Sequence, residues 1–229
     1  MSLATAGIAI GGGTGADENV AAVDGKITPS KLSKKRFKPV SSLLGVRNSK
    51  DHIDGLQSNP ASERLSFSKN IKVDLSKAPR CTAPLANGTT TEFAKAACPG
   101  KSFLGSGVAE VTAAGPTVIA EPVVSVFNGP GKNQLRLHTY DPALGAASPI
   151  VNGRIIKSPV SGYGQALSVP EAPETGGVMI TKFNSTVLRA RKVVRARCKP
   201  KRFKTHRRVV YADGSSETVV TTQRCRVKR

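Results

Sequence analysis

Tryptophan is absent from these 229 residues, and seven phenylalanines and three tyrosines are the only large carbocyclic rings. A core must therefore be assembled from Val, Ile, Leu and Ala. No stretch approaches the roughly 20 apolar residues that a membrane-spanning helix needs, so no such helix is expected. The three histidines stand apart at 52, 138 and 206, and no Cys-x-x-Cys occurs. Both facts weigh against a zinc site. A Gly-x-Ser-x-Gly nucleophile turn is also missing. Acids are scarce: 15 Asp and Glu face 35 Lys and Arg, for a formal net charge of +20.

The residues that imitate catalytic or cofactor motifs do so incompletely. Gly11, Gly13 and Ala16 in IAIGGGTGA copy a dinucleotide-binding turn. That mechanism needs a helix opening at the glycines and a returning parallel strand, whereas a basic, proline-bearing segment follows here. Pro99-Gly100-Lys101-Ser102 resembles the end of a phosphate-binding loop, but Lys95 occupies the place of its first glycine. His138 and Asp141 are close in sequence, yet Leu135, Leu137 and Thr139 alternate with Arg136 and His138 as in a strand. This puts His138 on a solvent or packing face rather than in a triad. Glu171 and Glu174 sit beside Pro170 and Pro173 in a loop. The expectation is a protein that is not an enzyme, with no cofactor and no metal.

What is present is charge of one sign, unevenly spread. Residues 1–25 carry −3, residues 26–50 carry +8, residues 51–181 carry +1 and residues 182–229 carry +14. A near-neutral centre between cationic ends points to an anionic partner. Twenty-two glycines and 15 prolines cut the chain into short segments. About ten strands are expected, among them Val40–Val46, Leu65–Leu75, Gly105–Thr112, Pro116–Phe127, Asn133–Tyr140, Ile150–Lys157, Gly164–Val169 and Gly177–Val187. Asn128-Gly129-Pro130-Gly131 and Asp213-Gly214 read as hairpin connections. One short helix is expected at Phe93–Cys98, behind the capping hydroxyls of Thr89–Thr91 and before Pro99-Gly100. This pattern favours an all-β fold, an antiparallel β-sandwich of jelly-roll or immunoglobulin-like type. It would occupy residues 40–229 as one domain. Residues 26–39 read as a solvated basic leader, and residues 1–25 as a clipped export signal or a flexible tail.

Four cysteines allow three pairings. The sequential one, Cys81–Cys98 and Cys198–Cys225, closes two short loops and suits an exported domain. In the C-terminal block, alternation sets Arg189, Arg191, Arg195 and Arg197 on one face of a strand, unless a turn near Lys192 divides it. Lys201, Arg202, Lys204, Arg207 and Arg208 follow. These nine residues form a candidate anion-binding surface for phosphate-rich polymers, either envelope polymers or nucleic acid. Phe203 and Tyr211 alternate inward, which leaves few rings on which bases could stack.

Four segments carry a resemblance: ITPSKLSKKRFKPV, CTAPLANGTTTEFAKAACPGKSFLGSGVAEV, VSVFNGPGKNQLRLHTY and ARCKPKRFKTHRRVVYADGSSETVVTTQRC. Together they resemble exported β-rich proteins of unknown function from actinobacteria. The resemblance implies a secretory signal, paired cysteines and a β-sandwich, and it implies no activity. The expected protein is thus a secreted or cell-envelope scaffold that associates electrostatically with an anionic wall or membrane-surface polymer. A nucleic-acid-binding protein is the alternative.

Overall fold

The computed structural model describes residues 21–48, 60–112, 118–170 and 179–228. The glycine string at 11–16, His52 and the Glu171/Glu174 pair lie outside them. Seventeen strands and one α-helix follow in chain order. Twelve of the strands form one antiparallel sheet, in the order β1 (Ala22–Thr28), β4 (Ser41–Arg47), β13 (Met179–Val187), β7 (Phe103–Thr112), β9 (Val123–Asn128), β10 (Gln134–Tyr140), β11 (Ile150–Lys157), β12 (Tyr163–Val169), β5 (Pro60–Ser68), β15 (Arg202–Tyr211) and β16 (Ser216–Arg224). The twelfth, β8 (Val118–Ala120), hangs on β7.

The expected sandwich is corrected by this path. Among the described residues no second large sheet faces the first. The long sheet curls until its two edges, β1 and β16, meet, giving a nearly closed barrel. The seam is bridged by a side chain: the Gln223 Oε1 accepts from the Ile27 N–H at 2.7 Å, and its Nε2 donates to the Ile27 carbonyl at 3.1 Å. One amide thus supplies the donor and acceptor that a neighbouring strand would supply, leaving neither edge group of Ile27 unpaired.

The strands alternate inward and outward as pleating requires. Val23 and Ile27, Leu135 and Leu137, Val124 and Val126, and Phe203 point into one apolar core. At Gly107 on β7, a Cβ would strike the backbone of Asn184 on β13. Glycine permits that close approach.

The two ends of the barrel differ. At one, here called the rim, lie Ala22, Arg47, Pro60, Tyr140, Val169 and the β15–β16 hairpin. That hairpin is the one expected at Asp213-Gly214; Gly214 adopts φ +84°, and its N–H donates to Tyr211. At the other end, the base, a small sheet closes the barrel: β3 (Lys38–Pro39), β14 (Val194–Ala196) and β6 (Ile71–Val73). Its Val40, Ile71, Val193 and Val194 flank join the main core. Gln165 fastens this cap as Gln223 fastens the seam, accepting from Val73 N at 2.8 Å and donating to Val73 O at 3.0 Å.

The expected leader at 26–39 is also corrected. Its first residues belong to β1, and β2 (Lys31–Leu32) pairs in parallel with β17 (Arg226–Val227). Ile27 and Leu32 are buried in the core. Those few apolar side chains, spaced among lysines, anchor the segment while the lysines stay in water. The continuous run expected at Leu65–Leu75 is two strands, divided at Lys69-Asn70.

Residues 75–102 pack on the outside of β9 and β10. The helix α1 (Thr91–Ala97) starts where its capping hydroxyls place it, with the Thr90 side chain accepting from Phe93 N. Cys81 and Cys98 are bridged over Phe127, as are Cys198 and Cys225 at the base. The sequential pairing is therefore the one observed.

Candidate functional site: a cationic base

The two cationic ends of the chain meet at the base. Arg226 N donates to Ser30 O and Lys228 N to Leu32 O, while Cys198 N donates to Ser33 O. Arg195 Nη2 reaches Phe37 O at 3.3 Å, and Arg197 Nη1 reaches Lys35 O at 3.5 Å. Phe37 carries two cations over its ring, Lys72 at 4.7 Å and Arg197 at 4.8 Å. Such contacts orient cationic groups without neutralising them. Lys34, Lys35, Arg36 and Lys38 remain exposed.

Charge is packed here against its own preference. In the β15–β16 ladder Arg202 stands directly opposite Arg224, and in the β2–β17 pair Lys31 stands opposite Arg226. Like charges placed directly across a sheet destabilise it. These residues, with Ser30, Lys201, Thr222 and Cys225, line a shallow depression beside the Cys198–Cys225 bridge. Asp74 is the acid at this end. It is held by the Ser76 hydroxyl, which keeps its carboxyl below the ordinary value, with Lys77 adding to the effect. Most other described acids, including Glu63, Glu110, Asp141 and Glu217, belong to the rim end of their strands. The molecule is thus strongly polarised along the barrel axis.

The expected surface residues divide. Arg189 and Arg191 occupy a 3-10 turn ended by Lys192 in the left-handed conformation at φ +59°, so the single strand does not form. Arg195 and Arg197 lie half-buried beyond that turn. Lys201, Arg202 and Lys204 are exposed at the base. Arg208 is exposed but lies six residues up β15, about 20 Å nearer the rim. Arg207 is corrected outright: it is 1 % exposed and points into the barrel. Its parity matches Phe203 and Tyr211, which the pleat also turns inward, and that shared parity is the signal that marks it as internal. The base residues Lys31 to Lys38, Arg224 and Arg226 complete the site. No local pattern joins them to Arg202, because the pairing partners are far apart in sequence.

His138 lies on a packing face, fully buried beneath the outer segment. Its Nε2 is 2.8 Å from Thr89 O, which fixes the proton on that nitrogen, while Nδ1 is buried without a partner. Asp141 does not join it, and instead accepts from the Ala143 and Glu121 N–H groups. Desolvation holds the imidazole below its ordinary value, and the buried Arg136 guanidinium adds to this. The unfolded chain therefore takes up a proton near pH 6.5 that the native state refuses. Stability should fall as pH drops from about 7 through 6.5 toward the depressed native value. Urea unfolding at pH 7.5 and pH 5 tests this. In His138→Gln, whose amide can keep the Thr89 bond, the loss between the two pH values should shrink; an unchanged loss would assign it elsewhere.

Among the described residues no helix is long and apolar enough to cross a membrane. The chain matches no family model and no curated protein. The meaning of the site rests on its own geometry.

Proposed function

We propose that the protein is a non-catalytic barrel of the extracytoplasmic space that attaches, through its cationic base, to an anionic polymer of the cell envelope. The observation that carries this reading is the pair of like-charge oppositions, Arg202 with Arg224 and Lys31 with Arg226. Folding gains nothing from them, whereas a polyanion lying across the base would neutralise both at once. The two disulfides favour an oxidising compartment, and so an envelope polymer over nucleic acid. Phe203 and Tyr211 are buried inward, and the half-buried Phe37 ring at the base already carries Lys72 and Arg197, which leaves few rings on which single strands would stack.

Fluorescence anisotropy with labelled poly(glycerol phosphate) tests the proposal. Binding should weaken steeply between 50 and 200 mM salt, since released counterions drive such contacts, and the triple variant Lys201→Glu, Arg202→Glu, Arg224→Glu should lose at least about tenfold in affinity. Arg208→Glu, outside the base, should bind as the parent does. Absence of binding at 50 mM salt, or equal losses in both variants, would overturn the assignment. Tighter binding to duplex DNA than to the polymer would replace it with the nucleic-acid reading.

A further inference from the structure

We propose that the lumen of the barrel is a binding site for an unbranched alkyl chain of about six to eight carbons, independent of the cationic base. The lumen holds a cavity of about 180 Å³. Leu44, Val46, Phe67, Phe183 and Val187 line it, and each remains only partly buried although it packs against the core. Their free surface faces the cavity.

The void follows from strand number and composition. Barrel diameter grows with strand number, and about eight strands already give an interior that side chains only just fill. Here the closed path runs through eleven strands. The chain has no tryptophan to fill the extra width, and the one α-helix among the described residues lies outside the barrel. Valines, leucines and threonines are too short to meet in the middle. Interiors otherwise pack to crystal-like density, so a space of this size is a feature to be explained.

The lining also states the ligand's chemistry. Its largest polar side chains are already engaged, Arg207 with Glu63 and Asn48 and Gln223 with Ile27, and the rest of its polarity is small, including the hydroxyls of Ser42, Ser185, Thr205 and Thr221. None of the buried polar atoms left without a partner among the described residues belongs to the lining. A charged or multiply hydroxylated guest would find only scattered hydroxyls to replace its water. An apolar one would need only shape and burial. An engineered apolar cavity of about 150 Å³ stays dry and takes up benzene, so this lumen suits a slightly larger hydrocarbon. Pro60, Pro149 and Pro170, at the rim ends of β5, β11 and β12, also line the cavity. The cap sheet closes the other end. Among the described residues no such cap covers the rim, so entry is from there, with any head group left at the rim and the cationic base untouched.

The test uses the whole protein and isothermal titration calorimetry with straight-chain alcohols from butanol to decanol. Affinity should rise about fourfold per added methylene up to roughly octanol and then level off as the lumen fills. Dioctanoyl phosphatidylcholine forms a second arm: binding of octanol alone assigns a free chain, and binding of both assigns the tail of a larger lipid. Val46→Phe and Val187→Phe should move the plateau about two carbons shorter. The base triple variant should leave the series unchanged, so a failure of the polymer reading would not imitate a failure here. The proposal is overturned if no alcohol binds, if affinity is flat with chain length, or if a variant that unfolds at the parental temperature keeps the parental plateau. Should neither variant fold, the chain-length series on the parent decides by itself.

Discussion

Replacing Arg207 with alanine is expected to remove about 3–5 kcal/mol of stability, the usual cost of breaking a buried ion pair from one side. For a chain of this length that corresponds to a fall of roughly 10 °C in Tm. The guanidinium is buried inside the barrel and uses all three of its nitrogens. Nε donates to Glu63 Oε1 at 2.8 Å, Nη2 to Asn48 Oδ1 at 2.6 Å, and Nη1 to the carbonyls of Arg47 at 2.6 Å and Ala22 at 3.3 Å. One side chain on β15 thereby ties together β5, the end of β4 and the start of β1, across the seam that no backbone ladder closes. Alanine would strand the partly buried Glu63 carboxylate and take a donor from three further oxygens at once. Arg207→Lys should recover little, because an ammonium cannot reproduce the planar fork. The double variant Arg207→Met, Glu63→Leu should recover much of the loss, since it removes both buried charges. Urea unfolding of the four proteins measures this. A loss below about 1 kcal/mol in Arg207→Ala would show that the seam is held by apolar packing instead.

Removing the base disulfide should have the second large effect, and it should reach beyond stability. The Cys198–Cys225 bridge spans 27 residues and encloses the whole β15–β16 hairpin. In the loop-entropy account, opening it costs about 3–4 kcal/mol. It also joins the end of β16 to the segment after β14, where the cationic strands converge. Cys198→Ser, Cys225→Ser is therefore expected to lower the Tm and to weaken polymer binding, since Lys201, Arg202, Arg224 and Arg226 lose their common frame. Cys81→Ser, Cys98→Ser should cost a similar amount of stability, because that bridge closes 17 residues, yet leave binding intact. It holds the outer segment over Phe127, away from the base. Thermal melts together with anisotropy on both double variants separate the two roles. Equal binding losses would mean that the bridges act only through global stability.

Much of the local structure was legible in the residues. The Asp213-Gly214 hairpin follows from a turn that needs positive φ, and Gly214 provides it. The helix at Thr91–Ala97 follows from a capping threonine and a closing Pro-Gly. Phe203 and Tyr211 face inward because the pleat has period two. Parity alone would have placed Arg207 with them; the prejudice that arginines lie outside concealed it. The strand at Ala22–Thr28 was hidden for a different reason. Its apolar positions, Val23 and Ile27, are too few and too widely spaced among polar residues to stand out until β4 is seen beside them.

Net charge, the even scatter of short strands and the shortage of large rings are properties of the chain itself, and they settled the β-rich class and the want of material to fill a wide interior. Closure could not be read in the same way. It depends on Gln223 meeting Ile27 and on Arg207 meeting Ala22, contacts across 196 and 185 residues. The same long-range register brings Lys31 against Arg226 and turns two separate basic segments into one site. Local patterns report which face a residue prefers; only the folded sheet, by fixing which distant edges meet, decided that those faces would enclose a lumen and a cationic base.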